Sequence, residues 1–208
     1  MISFLISKAK QKYPPLFLAV QLFRNRVGST NETLEEIHLK YRNPQNQSDV
    51  ALDLGCGKAP RNLFHAKTVY GADLQEDIAS NVLEVNLGYQ RLPFEDASID
   101  YITAYDLLEH IPRHSESREN GRAPFIFLMN EIWRILRYDG VFLSVTPIYP
   151  YMAAFQDPTH NNIITSDTFE LYFCREKYAI ANHYGIKTNF TMLYKKMQGQ
   201  HLVAALKK

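Results

Sequence analysis

The chain has 208 residues, of which 46% are hydrophobic and 22% charged, and its formal net charge is +1. That length suits one domain with a sizeable core, and that composition reads as soluble and globular. Two cysteines, Cys56 and Cys174, do not make a disulfide framework, so a reducing, cytoplasmic setting is expected.

Charge is spread unevenly. Residues 1–26 hold five basic side chains and no acid, and six lysines with no acid follow Glu176. The middle holds 12 basic and 22 acidic groups, a net −10, without the broad basic field of a nucleic-acid enzyme. The N-terminus has no signal-peptide pattern, and "PPLFLAVQLF" is too short to span a bilayer. Residues 2–12 and 16–26 read as two short helices broken at Pro14-Pro15. Basic and apolar, they are a candidate peripheral membrane contact, although packing on the domain is the commoner outcome.

"STNETLEEIHLKYR" is a cleaner helix. Ser29 is its expected cap, with Glu32 completing a capping box. Leu34, Ile37 and Tyr41 supply an apolar stripe. A polar linker, residues 43–49, follows. The expected organisation is an N-terminal helical cap, residues 1–47, and a main domain, residues 48–208.

From Val50 the chain alternates. "VALDLG" reads as a strand, "APRNLFHAK" as a short helix, "TVYGADL" as a second strand, and "SNVLEVNL" holds a third. "SIDYITAYD" is a fourth, and "LLEHIP" begins a helix. "RHSESRENGRAP" is a polar loop and a candidate lid with Arg113, Arg118 and Arg122. "FIFLMNEIWRILR" is an amphipathic helix, "VFLSVTPIY" a fifth strand, and "SDTFELYFCREK" a helix capped by Ser166. "TNFTMLYKKM" and "QHLVAALKK" are two last strands joined by a tight turn. Alternating strands and helices predict an α/β fold of three layers, a doubly wound and mostly parallel sheet. The terminal hairpin forces one strand to run antiparallel.

The stretch "VALDLGCGKAP" then carries the functional question. Ligands of open parallel sheets bind at the carboxyl ends of strands, and Gly55 and Gly57 lie just beyond the first strand. The following helix would present free N–H groups there. A P-loop needs Ser or Thr after Lys58, where Ala59 stands, and a dinucleotide fingerprint needs glycine where Pro60 stands. Asp53 would repel a pyrophosphate but suits a cationic ligand or the base of the loop. Asp73, ending the second strand, suits a pair of ribose hydroxyls.

On "VALDLGCGKAP", "VYGADL", "LPFEDASIDYITAYDLLEHI" and "LMNEIWRILRYDGVFLSVTP", in that order, the sequence resembles the class I S-adenosylmethionine (SAM)-dependent methyltransferases over residues 48–208. The resemblance implies a Rossmann-like seven-stranded sheet with an antiparallel last strand. It implies that Asp53, Gly55, Cys56 and Gly57 border the methionine part of SAM and that Asp73 holds the ribose. Leu74 would pack on the adenine, Asn86 and Leu87 would meet its edge, and Tyr105 would face the sulfonium. Residues 1–47 would close over SAM, with Tyr13, Phe17, Phe23 and Tyr41 as candidate contributors.

The acceptor side centres on "YDLLEH". Asp106, Glu109 and His110 are spaced i, i+3, i+4, one face of a helix that starts there. With His160 of "DPTH" they would suit Mg²⁺ or a similar divalent cation. The spacing resembles the Glu-x-x-Glu-His helix of two metal-dependent O-methyltransferase groups, one acting on catechol intermediates of ubiquinone synthesis and one on the terminal ribose of small RNAs. Without a metal, His160 or His110, near Asp106, is the expected general base. Tyr149, Tyr151, Phe155 and Asp157 in "TPIYPYMAAFQDPTHNN" suit a sugar or ring compound. "AFQDPTH" also resembles a bacterial methyltransferase subgroup associated with surface glycans. "AYDL" lacks the Asn-Pro-Pro-Tyr pattern of amino-methyltransferases. The expected activity is methyl transfer to a hydroxyl of a small molecule or glycan. RNA ribose methylation and a non-catalytic SAM-binding subunit are the alternatives.

Overall fold

The computed structural model describes residues 28–115, 123–174 and 181–208. The two expected N-terminal helices, Tyr13, Phe17 and Phe23, and Arg118 and Arg122 lie outside these residues. One sheet of eight strands organises the rest. In chain order the strands are β1 (Gly28–Ser29), β2 (Val50–Leu54), β3 (Thr68–Asp73), β4 (Val82–Glu84), β5 (Ile99–Tyr105), β6 (Leu136–Pro147), β7 (Thr191–Gln198) and β8 (His201–Lys207). Across the sheet the order is β1-β7-β8-β6-β5-β2-β3-β4. β2, β3, β4, β5 and β6 run parallel to one another, and β8 is antiparallel to both β6 and β7. The seven expected strands are present, and β1 adds a two-residue eighth by pairing with Lys196 and Met197 of β7.

Among the described residues, helices are fewer than the alternation predicts: α1 (Leu34–Tyr41), α2 (Pro124–Ile135) and α3 (Thr168–Tyr172). The cap of α1 is Thr33, not Ser29. Thr33 Oγ1 accepts from the Glu36 amide, and Glu36 Oε2 accepts from the Thr33 amide at 2.7 Å. The capping-box pattern occurs twice in "STNETLEE", and pairing of Ser29 with β7 removes the first copy from competition. Helix α3 starts after Asp167, without a side-chain cap from Ser166.

No helix forms over residues 59–67. The Asn62 side chain instead bonds both the amide and the carbonyl of Ala66, and His65 takes a positive φ of 53°. Such local side-chain bonds compete with the helical ladder. After β5 only a single 3-10 turn forms, Leu108–His110. Pro112 has no N–H to offer the Leu108 carbonyl. The Asn162 side chain donates to it instead, at 3.1 Å.

Strand alternation sends successive residues to opposite layers. Leu52, Leu54, Ile102, Ala104 and Phe142 face α2 and α3, with Leu128, Met129, Ile132 and Phe169. Ala51, Tyr101, Tyr105, Leu143 and Val203 face α1, with Ile37, Phe64 and Ala66. Leu34 and Tyr41 join that second cluster at its margin, as the apolar stripe predicts. Among the described residues no helix is long and apolar enough to cross a membrane.

The second layer contains a buried polar pair. His38 is fully buried; its Nδ1 lies 2.5 Å from the Leu34 carbonyl and its Nε2 2.6 Å from the Tyr105 hydroxyl. The carbonyl can only accept, so Nδ1 carries the proton and Tyr105 donates to Nε2. Burial pushes the imidazole down to about 4, against a smaller opposing effect of the Leu34 carbonyl. A histidine held neutral in the fold stabilises it fully above the unfolded value near 6.5, and that stability is lost as pH falls toward 4. Urea unfolding should show about 2 kcal/mol less stability at pH 5 than at pH 7.5, and His38→Gln should remove most of that dependence.

Candidate active site

The parallel strands β2 to β6 bring their carboxyl ends to one edge. Asp53, on the α1 side of β2, is 1% exposed. Its Oδ1 accepts from the Thr103 hydroxyl of β5 at 2.6 Å, and its Oδ2 accepts from the Arg61 amide at 2.8 Å. Burial raises the carboxyl pKa, and the two hydrogen bonds oppose that rise. The amide that meets Asp53 comes from a loop, where sequence reasoning expected helix amides.

The chain turns at Gly55 and Gly57, with φ of +66° and +62°. At Gly55 a Cβ would also stand 2.8 Å from Leu107 Cδ1. At Gly57 it would meet nothing within 4 Å among the described residues. Between them, burial, and then Asp53 and Asp73, push the Cys56 thiol up to about 11. That makes it a poor nucleophile.

Asp73 closes the loop from β3. Its Oδ2 accepts from the Gly57 amide at 2.8 Å and its Oδ1 from the Leu74 amide at 2.7 Å. A carboxylate offers about four acceptor positions, so two remain for a diol. Leu74, 65% exposed, presents a bare apolar side chain beside it. Asn86 is exposed, and its amide donates to the Gln90 side chain. Leu87 and Tyr105 sit differently from the expectation. Leu87 is buried in the α2-side core. Tyr105 is buried in the α1-side core, bonded to His38, with the Arg61 guanidinium 4.4 Å above its ring.

The acceptor-side residues are only partly brought together. Glu109, His110 and His160 each offer a ligand atom, all within 4.8 Å of one another. Glu109 is buried; its Oε2 accepts from the Thr146 hydroxyl at 2.8 Å, while Oε1 has no partner among the described residues. Nδ1 of His160 is likewise buried without a partner among them. The two imidazole rings meet edge to face at 4.7 Å. Thr159 donates to Asp157 at 2.7 Å, so at 3.0 Å its oxygen accepts from His110 Nδ1 and leaves Nε2 of His110 with a lone pair.

Asp106 does not join this group. Its Oδ1 lies 3.0 Å from Nε2 of His201 on β8. The 3-10 turn and the positive φ of Asp106, 47°, break the helical face that the i, i+3, i+4 spacing assumed. Arg113 is equally committed: Nε donates to Asn162 Oδ1 at 2.7 Å, and the guanidinium also bonds the Ile163 carbonyl. Beside it, Phe125, Ile126, Thr168, Tyr172 and Phe173 line a cavity of about 420 Å³. Sequence reasoning missed Thr103, Thr146, Thr159 and His201. Thr103, Thr146 and Thr159 lie within the quoted motifs, but no spacing along the chain points to the partners they bond, and His201 opens the last strand outside every motif.

Residues 52–144 match the family model described as a methyltransferase domain. No curated protein matches the sequence. Among solved structures, a Pyrococcus horikoshii protein is similar at 19% identity over 85% of this chain and 88% of its own, with a TM-score of 0.56. A SAM-dependent methyltransferase from Archaeoglobus fulgidus is similar at 16% identity over 93% of this chain and all of its own, with a TM-score of 0.52. A geranyl diphosphate methyltransferase in complex with SAM is similar at 13% identity over 83% of each chain, again with a TM-score of 0.52. Residues 52–144 therefore carry a methyltransferase domain, and the likeness to these structures shows a Rossmann-like α/β fold.

Replacing the Thr103 hydroxyl should expose what the Asp53 cradle contributes. Thr103→Val leaves a buried carboxylate oxygen without its donor, and urea titration at pH 7.5 should show a loss of about 1–3 kcal/mol.

Proposed function

We propose that this methyltransferase transfers the SAM methyl group to a hydroxyl oxygen of a small molecule or glycan, in a cytoplasmic setting. The observation that carries the reading is the cluster of Glu109, His110 and His160 on the same sheet edge as the glycine loop, with a buried carboxylate oxygen and a buried imidazole nitrogen left unpaired among the described residues. Buried polar atoms are nearly always satisfied, and exceptions mark sites that a ligand completes.

On the donor side, Gly55, Cys56 and Gly57 would border the methionine part of SAM, where a Cβ at Gly57 would meet nothing within 4 Å among the described residues. The remaining acceptor positions of Asp73 fit the ribose hydroxyls, and exposed Leu74 fits the adenine face. On the acceptor side, Tyr149 and Phe155 leave β6 half exposed, edge to face at 6.2 Å, a platform suited to a sugar or other ring. The even overall charge gives no support to a nucleic-acid acceptor.

Glu109, His110 and His160 would hold a divalent cation. The donor set, one carboxylate and two imidazoles, is chemically suited to it. Thr146 on Glu109 and Thr159 on His110 are the outer contacts that orient such ligands. A bound cation polarises a hydroxyl and lowers its pKa. The protein's own part is to hold donor and acceptor in line, which supplies much of the rate.

Two measurements test the reading. Asp73→Asn exchanges one acceptor oxygen for a donor, and calorimetric titration should show SAM affinity about tenfold lower or worse, ~1.4 kcal/mol per decade. Labelled methyl from SAM should appear in the small-molecule or glycan fraction of a cell extract, disappear after chelation, and return with added Mg²⁺. Label in protein or nucleic acid alone would reject the small-molecule or glycan acceptor, and label that survives exhaustive chelation would reject the cation.

A further inference from the structure

Beside the Glu109 cluster a second pair of side chains meets at the same edge. Asp106 is the first residue after β5, and its amide donates to the Val145 carbonyl of β6. Its φ of +47° is the left-handed region, which costs a non-glycine residue roughly 1–3 kcal/mol when the surroundings impose it. The compensation in view is an ion pair with His201, whose partners are 60% and 33% exposed. Pairs so open to water return about 0–1 kcal/mol. Stability therefore does not account for holding Asp106 in this conformation.

Its consequence is the placement of His201. That residue opens β8 and stands opposite Pro147 at the carboxyl end of β6. Asp106 takes Nε2, 3.0 Å away, which fixes the tautomer with the proton on that nitrogen. Nδ1 keeps its lone pair, and among the described residues nothing hydrogen-bonds it. An imidazole with one nitrogen held by a carboxylate and the other free, at an accessible ligand edge, has the geometry of a proton acceptor.

We propose that His201, oriented by Asp106, takes the proton of the acceptor hydroxyl, with Asp106 as a positioning residue. The inference rests on methyl transfer to oxygen. The hydroxyl oxygen attacks the methyl carbon of SAM while the carbon–sulfur bond breaks, its electron pair passing to sulfur. The hydroxyl proton passes to Nδ1 of His201, and the products are a methyl ether, S-adenosylhomocysteine (SAH) and an imidazolium that returns its proton to solvent. The charges that face the pair are Glu109 toward His201, and Arg61 and His110 toward Asp106. Asp106 first, and then Glu109, hold the His201 imidazole above its ordinary pKa.

The first test needs no acceptor. Imidazole resonances of ¹⁵N-labelled protein are followed against pH in the SAM complex and in the SAH complex, which differ by the sulfonium charge. His201 at the reacting centre should titrate lower with SAM by about half a pH unit or more. Asp106→Asn should lower it in both complexes. Equal midpoints with SAM and SAH would place His201 away from the methyl group and overturn the proposal. The second test follows labelled methyl transfer into extract. His201→Ala should slow it about 100-fold or more with SAH affinity unchanged within twofold. Asp106→Asn should move the acid limb of the rate profile to lower pH. A His201→Ala rate within about threefold of wild type also overturns the proposal. A wild-type protein that binds SAH but methylates nothing would instead overturn the methyl-transfer reading, while the resonance comparison still decides where His201 stands.

Discussion

The structure depends on one buried carboxylate. Asp53 stands where β2 stops, almost wholly removed from water, and burying an ion there costs several kcal/mol unless it is paired. Two donors meet it from different directions, the Thr103 hydroxyl across the sheet and the Arg61 amide from the loop. The first ties β2 to β5. The second bends the chain after the glycines back over the strand end. The segment before Arg61 is therefore closed as a loop, and the Gly57 amide at its other end goes to Asp73. Two acids on neighbouring strands thus shape the glycine loop from both of its ends.

That arrangement reaches the N-terminal side of the domain through aromatic and cationic contacts. Arg61 lies over the ring of Tyr105, Tyr105 donates to His38, and His38 belongs to α1. The ring of Phe64 meets His38 edge to face at 4.6 Å and stacks on Tyr101 at 4.3 Å. A helix of eight residues has little stability of its own. Here it is held by a capping box at one end and by a buried imidazole on its inner face. The same layer that fixes α1 also supports the floor beneath Asp53.

The glycine loop and its two acids were legible in the sequence because local backbone geometry builds them. Gly55, Gly57 and the acids at the ends of β2 and β3 declare themselves through chirality, charge and spacing. The acceptor side is built by side chains from separate elements, the turn after β5, the loop after β6 and the first residue of β8. Spacing along the chain predicts a partner only while the assumed secondary structure holds. Asp106, Glu109 and His110 share a face only on an α-helix, and Pro112 shortens that helix to one 3-10 turn. Glu109 and His110 still meet His160, because the Asn161 and Asn162 amides both bind the Glu109 carbonyl and hold the two segments together. Asp106 finds His201 instead, a pairing that strand register sets and no local pattern announces.

The two halves of the edge also differ in how they satisfy their polar groups. Around Asp53 and Asp73 every named carboxylate oxygen has a donor, so the loop keeps its shape on its own. Around Glu109 the partners stop short: one carboxylate oxygen and one imidazole nitrogen are buried and unmet among the described residues. Unmet polar atoms in a protein interior destabilise the fold by roughly 1–3 kcal/mol each, a cost that the two apolar cores offset. The glycine loop is thus satisfied within the fold itself, whereas the uncompensated groups stand on the side of the edge where the proposed acceptor would bind.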